Sequence, residues 1–252
     1  MASAGIGGRV EGLHPVRAAL AAGRVRVLTV ERSRRDLDDL VAEARAVGAS
    51  VELVDDVRPL AQTGSPQGVV AKARPIAFAP LESLLDPGED AGPPAVVVLD
   101  HLEDPRNVGA IARSALGAGM TGLVIPRRRA APITATAFKA AAGSLEHLPV
   151  SSVSSVAAVV RRVADAGLWT VGLDPTAPTS LMGLECLTQP VALFVGAEGK
   201  GLGRLVRERL DLLVSIPMDN RALSLNAGVA TALACFEVMR MRAAEPADRT
   251  GR

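Results

Sequence analysis

VALFVGAEGKGLGRLVRERLDLLVSIPMDNRALSLNAGVATALACFEV, residues Val191 to Val238, decides the reading of this chain. Its opening run, Val191–Val195, is apolar, too short for a helix and bounded by turn residues, which predicts a core strand. Gly196-Ala197-Glu198-Gly199-Lys200-Gly201-Leu202-Gly203 follows, and its four glycines permit positive φ and close approach of backbone to a ligand. A second apolar run, Leu212–Ile216, is closed by Pro217. The polar corner Arg221-Ala222-Leu223-Ser224-Leu225-Asn226 then leads into an apolar helix over 227–239. Two strand ends that deliver loops to one place are how open α/β sheets build ligand crevices.

Two familiar glycine signatures do not fit this loop. A phosphate-binding P-loop requires Ser or Thr after Gly-Lys, but Gly199-Lys200 precedes Gly201, and Phe194 stands where the first glycine belongs. A dinucleotide fingerprint begun at Gly199 would need a third glycine where Arg204 stands. A plain glycine-rich turn remains the bland alternative until a second motif is added.

That motif lies upstream. Val96-Val97-Val98-Leu99-Asp100 reads as a strand, and Asp104-Pro105 as a helix start, a capping residue followed by proline in the first turn. Asn107, Ala110 and Arg113 are spaced three apart and share a helix face near an N-terminus, a region that favours anions. Arg113 alone would be a solvated helix arginine; Asn-x-Gly-x-x-x-Arg after a strand is more specific.

Composition sets the bounds. The 252 residues suit one large or two modest domains, and 48% hydrophobic residues can fill a core. A net charge of +1 excludes a simple polybasic nucleic-acid binder but leaves room for a local basic surface. Lys72, Lys139 and Lys200 are the only lysines, so nearly all positive charge is arginine. Cys186 and Cys235 have neither metal-ligand nor redox spacing, and no metal site is expected. The sequence shows no signal peptide and no membrane-length apolar run, so a cytoplasmic protein is expected. With 2% aromatic residues and no tyrosine, recognition by stacking bases on aromatic side chains is not expected.

Along the chain, residues 1–8 are small and glycine-rich and are expected to be disordered. Residues 9–74 alternate strand, helix, strand, helix, strand, short helix, strand, which makes a small α/β domain. The proline-rich, acidic stretch 75–94 reads as a linker with a short helix over Leu81–Leu85. Strand–helix alternation resumes over 95–242, with strands at 95–100, 122–125, 148–150 and 168–172 and helices at 107–117, 132–142 and 153–166. Such alternation implies a mostly parallel sheet covered on both faces. Residues 243–252 are expected to form a disordered tail.

The three segments together resemble the SpoU, or TrmH-like, RNA ribose 2′-O-methyltransferases of the SPOUT superfamily. Asn107-Val108-Gly109-Ala110-Ile111-Ala112-Arg113 is similar to the first motif, and Leu193-Phe194-Val195-Gly196-Ala197-Glu198-Gly199-Lys200-Gly201 to the second. Ile216-Pro217-Met218 with Leu223-Ser224-Leu225-Asn226 resembles the third. The resemblance covers residues 95–242, and Gly12-Leu13-His14-Pro15-Val16 and Gln67-Gly68-Val69 extend it to an N-terminal RNA-binding domain like that of rRNA-modifying members, with a ribosomal-protein-like fold.

This resemblance implies a deep trefoil knot in the C-terminal domain, a homodimer through that domain, and S-adenosylmethionine bound at Gly196, Ile216, Ser224 and Leu225. It implies a catalytic group of Arg113, Asn107, Glu198, Ser224 and Asn226. Because a guanidinium stays protonated, Arg113 is expected to pair with phosphate and stabilise alkoxide charge rather than act as a base. RNA is the implied partner: guanosine in 23S rRNA leads, while tRNA, an antibiotic-resistance methylation of rRNA, or non-catalytic RNA binding stay open. His147 reads as a loop-positioning residue, His101 as packing or contact, and Arg127-Arg128-Arg129 as RNA phosphate contacts or a solvated loop. Two departures stand out: Gly228 replaces a serine common in the family, and Pro66 replaces the histidine of a His-Gln-Gly.

Overall fold

In the computed structural model, the structure describes residues 5–88, 92–128, 131–219, 221 and 224–244. Contacts divide these into two compact units. One comprises the chain up to Phe78 with Pro105–Arg113 and Pro132–His147. The other comprises Ala79–Asp104, Ser114–Ala131 and the chain from Leu148 onward.

The first unit carries β1 (Arg9–Glu11), α1 (Leu13–Ala21), β2 (Val25–Glu31), α2 (Asp38–Ala46), β3 (Ser50–Val54) and β4 (Val69–Ala73), with a 3-10 turn at Arg58–Leu60. This is the predicted alternation element for element. The sheet order is β1-β4-β2-β3; β4 runs antiparallel to both β1 and β2, and β2 is parallel to β3. Leu28, Val30, Val69 and Ala71 from the sheet pack with Val16 and Leu20 of α1 and Leu40 and Ala44 of α2 in one core. Buried Glu11 is satisfied within this unit, accepting from the amides of Gln62 (2.5 Å) and Thr63 (2.9 Å) and from the Thr63 hydroxyl (2.7 Å). Ile6, expected in a disordered leader, is buried and pairs with Ile76, because an apolar side chain next to a sheet edge gains more from burial than the short leader loses in entropy. Residues 1–4 lie outside the described residues.

The second unit is built on seven strands: β5 (Ala95–Leu99), β6 (Gly122–Pro126), β7 (Val150–Val153), β8 (Trp169–Leu173), β9 (Thr179–Ser180), β10 (Val191–Val195) and β11 (Leu212–Ser215). Their order is β7-β6-β5-β10-β8-β11-β9 and every pairing is parallel, as the strand–helix alternation implied. All five residues of β5 and of β10 are buried, which is why they read as unbroken apolar runs. Their even-numbered residues, Val96, Val98, Ala192 and Phe194, join one core with Leu81, Leu84 and Leu85 of α3 (Leu81–Leu85) and Val156, Val159, Val160 and Val163 of α6 (Val156–Asp165). The stretch expected as a linker therefore contributes core at α3. Residues 89–91 within it lie outside the described residues.

Two boundaries differ from expectation. The helix predicted from Val153 begins only at Val156, because the Ser155 hydroxyl accepts from the Ala158 amide at 3.3 Å and caps it, leaving Val153 to β7. The final helix, α8, spans Ala227–Ala244 and runs into the predicted tail. Arg242 holds its end, donating to the carbonyls of Leu187, Pro93, Pro94 and Gln189 at 2.7–3.2 Å. Residues 245–252 lie outside the described residues.

Candidate functional site

Strand order places the site. The chain builds β5, β6 and β7 outward in one direction, then returns to build β8 and β10 on the other side of β5. Sheets of this kind open a crevice at the carboxyl ends of the strands near that reversal. A cavity of about 640 Å³ lies there, lined by the ends of β8 (Leu173), β10 (Val195) and β11 (Val214) and the loops that follow them. Gly196, Glu198, Ile216, Ser224, Leu225 and Asn226 all line it, so six residues singled out from sequence meet at one wall. Ala222 and Leu223 of the same corner lie outside the described residues.

Local chemistry explains the corner. Asn226 precedes α8, and its Oδ1 accepts from the amides of Gly228 (2.9 Å) and Val229 (3.2 Å), capping the helix. Its Nδ2 donates to Glu198 Oε1 at 2.6 Å, and the Ala227 amide reaches the same oxygen at 3.4 Å. One asparagine thus ties the helix start to the acidic glycine loop. Gly196 has a different cause from the one its position suggested. A Cβ there would collide with the backbone of Gly201 and Leu202, because the loop folds back on itself through the Ala197–Gly201 bridge. Gly199 (φ 77°) and Gly201 (φ 63°) supply the left-handed turns of that fold-back.

Sequence reasoning missed part of the wall. Asp174, at the end of β8, is buried; its Oδ1 accepts from the amide (2.8 Å) and hydroxyl (2.6 Å) of Thr176, and its other oxygen pairs with Arg207 on α7 (Arg204–Arg207). Burial alone would raise the Asp174 carboxyl, but the Thr176 donors and the Arg207 guanidinium outweigh it and hold the group below its ordinary value. The available signal was its place, two residues past a predicted strand on the side where such sheets bind ligands. Asp100, at the end of β5, accepts from the Gly203 amide at 2.7 Å and contacts His101 Nδ1 at 2.6 Å, fastening the same glycine loop. His101, at φ 59°, is thus a tether on Asp100.

Asn107 and Arg113 stand on α4 (Pro105–Gly117), in its part Pro105–Arg113 that belongs to the other compact unit. Asn107 is half-buried, whereas Ala110 and Arg113 are exposed. The motif glycine between them is required by packing. A Cβ on Gly109 would lie against the Ala137 carbonyl oxygen, 2.7 Å from Ala140 Cβ and 3.0 Å from the Ala141 nitrogen, where α5 (Ala135–Ala141) crosses α4. After α5, Glu146 forms an almost fully buried ion pair with Arg24, which also donates to the carbonyls of Gly7 (3.1 Å) and Arg74. His147 follows, exposed, its amide bonded to the Ser144 carbonyl at 3.1 Å. Arg127 and Arg128 are exposed; Arg129 lies outside the described residues.

The lining combines polar main chain, apolar side chains and charges of both signs. A volume of about 640 Å³ falls in the range of small-molecule sites. The glycine loop offers main-chain groups, Ile216 and Leu225 offer apolar surface, and Glu198, Asp174 and Arg207 offer both signs of charge. No three His, Cys, Asp or Glu side chains cluster to hold a metal among the described residues, and no helix there is long and apolar enough to cross a membrane.

Known proteins resemble this chain in sequence and in fold. The sequence profile described as the SpoU rRNA Methylase family matches residues 94–236, and that described as RNA 2′-O ribose methyltransferase substrate binding matches residues 9–79. A putative TrmH family tRNA/rRNA methyltransferase of Bacillus subtilis is 42% identical over 71% of this chain and 72% of its own length. A 23S rRNA (guanosine-2′-O-)-methyltransferase of Ralstonia nicotianae is 38% identical over 94% of this chain and 96% of its own. Among solved structures, the SpoU methyltransferase AviRb of Streptomyces viridochromogenes in complex with AdoMet superposes with a TM-score of 0.77. It is 29% identical, over 93% of this chain and 90% of that one.

Proposed function

Because the chain belongs to the SpoU rRNA methylase family and carries that family's substrate-binding domain, we propose that it methylates the ribose 2′-hydroxyl of a guanosine in 23S rRNA. The observation that carries this reading is the cavity at the carboxyl ends of β8, β10 and β11, where Glu198, Ser224 and Asn226 meet the glycine loop. S-adenosylmethionine, bound there, supplies an activated methyl group on a sulfonium. Gly196, Ile216 and Leu225 would hold it through main-chain and apolar groups, and Ser224 would add a hydroxyl at the same wall.

The chain's own residues do the rest. Glu198, fixed by Asn226 and the Ala227 amide, keeps a carboxylate at the cavity wall, where it favours a positively charged group. A guanidinium is a donor with no acceptor, so the part of Arg113 is to pair with RNA phosphate and stabilise negative charge developing on the 2′-oxygen. Asn107, six residues earlier on the same helix, orients that arginine and the substrate. Methyl transfer of this kind needs the attacking oxygen held in line, and fixed polar groups supply that alignment.

The trefoil knot, the homodimer and a cytoplasmic setting belong to the same reading. Support for the homodimer comes from α8, which exposes Val229, Leu233, Phe236 and Met239 along one stripe, more apolar surface than a solvated helix face carries. The test is transfer of labelled methyl from S-adenosylmethionine to purified 23S rRNA and to tRNA, followed by mapping of the modified ribose. Label at one guanosine of 23S rRNA is expected. Label on tRNA alone would move the substrate to the other class named among the relatives, and label on neither RNA would refute the reading.

A further inference from the structure

Among the described residues the cavity wall holds two cations, and one of them is built in. Lys200 sits exposed in the glycine loop between two left-handed residues. Arg207 is anchored: its guanidinium pairs with Asp174, a carboxylate whose side chain is 8% exposed. Asp174 is itself fixed, by the Thr176 amide and hydroxyl and by its own amide on the Val214 carbonyl at 2.9 Å. The chain has thus used a buried acid at the end of a central strand to orient one arginine at the edge of the pocket.

The turn that carries this arginine has anchors besides it. Its helix is a single turn held by buried Val206, and Gly203 of the same turn is fastened by Asp100. Arg207 remains about half exposed after pairing. A guanidinium has five donors in a planar fork and suits a second carboxylate bidentately. Resting on the proposed donor reading of this pocket, we infer that Arg207, positioned by Asp174, binds the α-carboxylate of the donor's amino-acid tail and selects donors that carry it. Glu198, elsewhere on the wall, leaves the tail's opposite charge a partner of its own, so the two ends of the zwitterion are told apart.

The test is binding and needs no turnover. Calorimetric titration of the full chain would compare S-adenosylhomocysteine with its decarboxylated analogue, which keeps the nucleoside, the thioether and the amine. A charge-assisted bidentate contact predicts that the wild type prefers the carboxylated ligand by about 10-fold or more. Arg207→Gln should bring the two ligands within about 3-fold of each other by weakening only S-adenosylhomocysteine. Arg207→Lys should keep part of the preference, since it keeps charge and loses the fork. Equal loss for both ligands in Arg207→Gln would mean a structural role and overturn the assignment, as would an unchanged preference. Unchanged binding of both ligands with weakened RNA affinity would move Arg207 to the RNA and overturn it too. Failure of the wild type to bind either ligand would bring down the donor reading itself, and this assignment with it.

Discussion

Gly109→Ala has a sign that the structure decides against local expectation. In a helix interior, alanine is favoured over glycine by about 0.8–1 kcal/mol, so α4 by itself would gain from the change. The new methyl group, however, would press on the Ala137 carbonyl oxygen and sit 2.7 Å from Ala140 Cβ and 3.0 Å from the Ala141 nitrogen. Two of these three neighbours are backbone, which cannot rotate away, so α4 and α5 must part. Overpacking of this kind costs about 1–3 kcal/mol, and with backbone in the way the upper end applies. Offset by the propensity gain, the net loss should be about 2 kcal/mol. For a chain of this size that lowers Tm by about 4–8 °C.

Gly117→Ala is the internal control. It lies on the same helix, but its added Cβ meets only the Phe236 ring, at 3.8 Å, an ordinary contact. There propensity should win, leaving stability unchanged or raised by up to about 1 kcal/mol. Thermal and urea unfolding of both variants, followed by circular dichroism, makes the comparison. A Gly109→Ala protein as stable as Gly117→Ala would refute the close helix crossing, and with it the account of why this motif carries glycine.

Other perturbations follow from the same geometry. Arg24→Ala should lower stability by about 3–5 kcal/mol in chemical denaturation, because it strands the buried Glu146 carboxylate; a loss below about 1 kcal/mol would show that the pair is solvated. Burial pushes the Cys235 thiol up to about 12 and raises Cys186 as well, so a thiol reagent at pH 8 should label neither in the native chain and both after denaturation. Asp174 titrates below its ordinary value, so its contribution to stability is present above about pH 4 and is lost as pH falls through the folded-state value. Asp174→Asn should therefore flatten the acid limb of the stability profile; an unchanged limb would count against the Arg207 clasp. Placing charge on the α8 stripe, by Leu233→Glu with Phe236→Glu, should shift sedimentation from dimer to monomer, and a wild type that sediments as a monomer would remove the homodimer from the proposal.

The sheet was legible because its strands obey one rule. β5 and β10 are buried on both faces, so their apolar runs are continuous and their limits stand out; the predicted range for β10 matches the observed strand at both ends. The edge strand β7 was misplaced because Ser151 and Ser152 break its apolar pattern, and the serine that caps α6 lies where an apolar period seemed to begin. Site residues were legible where a motif carried them. Asp174 and Asp100 were not recognised as site residues, since an acid after a strand has no local signature; only the tertiary partners, Arg207 and Gly203, distinguish them from solvated loop residues. The grouping of contacts into two compact units was the least legible feature. Pro105–Arg113 and Pro132–His147 lie far along the chain from the first sheet, and nothing in their own pattern says that they pack with it.

The motif residues divide by the kind of work they do. Gly109 and Gly196 are fixed by packing: one lets two helices cross, the other lets a loop fold onto itself, and neither need touch a ligand. Asn226 is fixed twice over, since its oxygen caps α8 while its nitrogen holds Glu198. Replacing it by Asp would keep the oxygen that caps the helix and set a second carboxylate against Glu198 in place of a donor. Its cost to stability should therefore be small near the helix and its cost to cavity chemistry large. That asymmetry separates the two roles, which alanine, by removing both together, would not. A family signature is in this sense a mixture of scaffold and chemistry, and only the partners of each side chain sort one from the other.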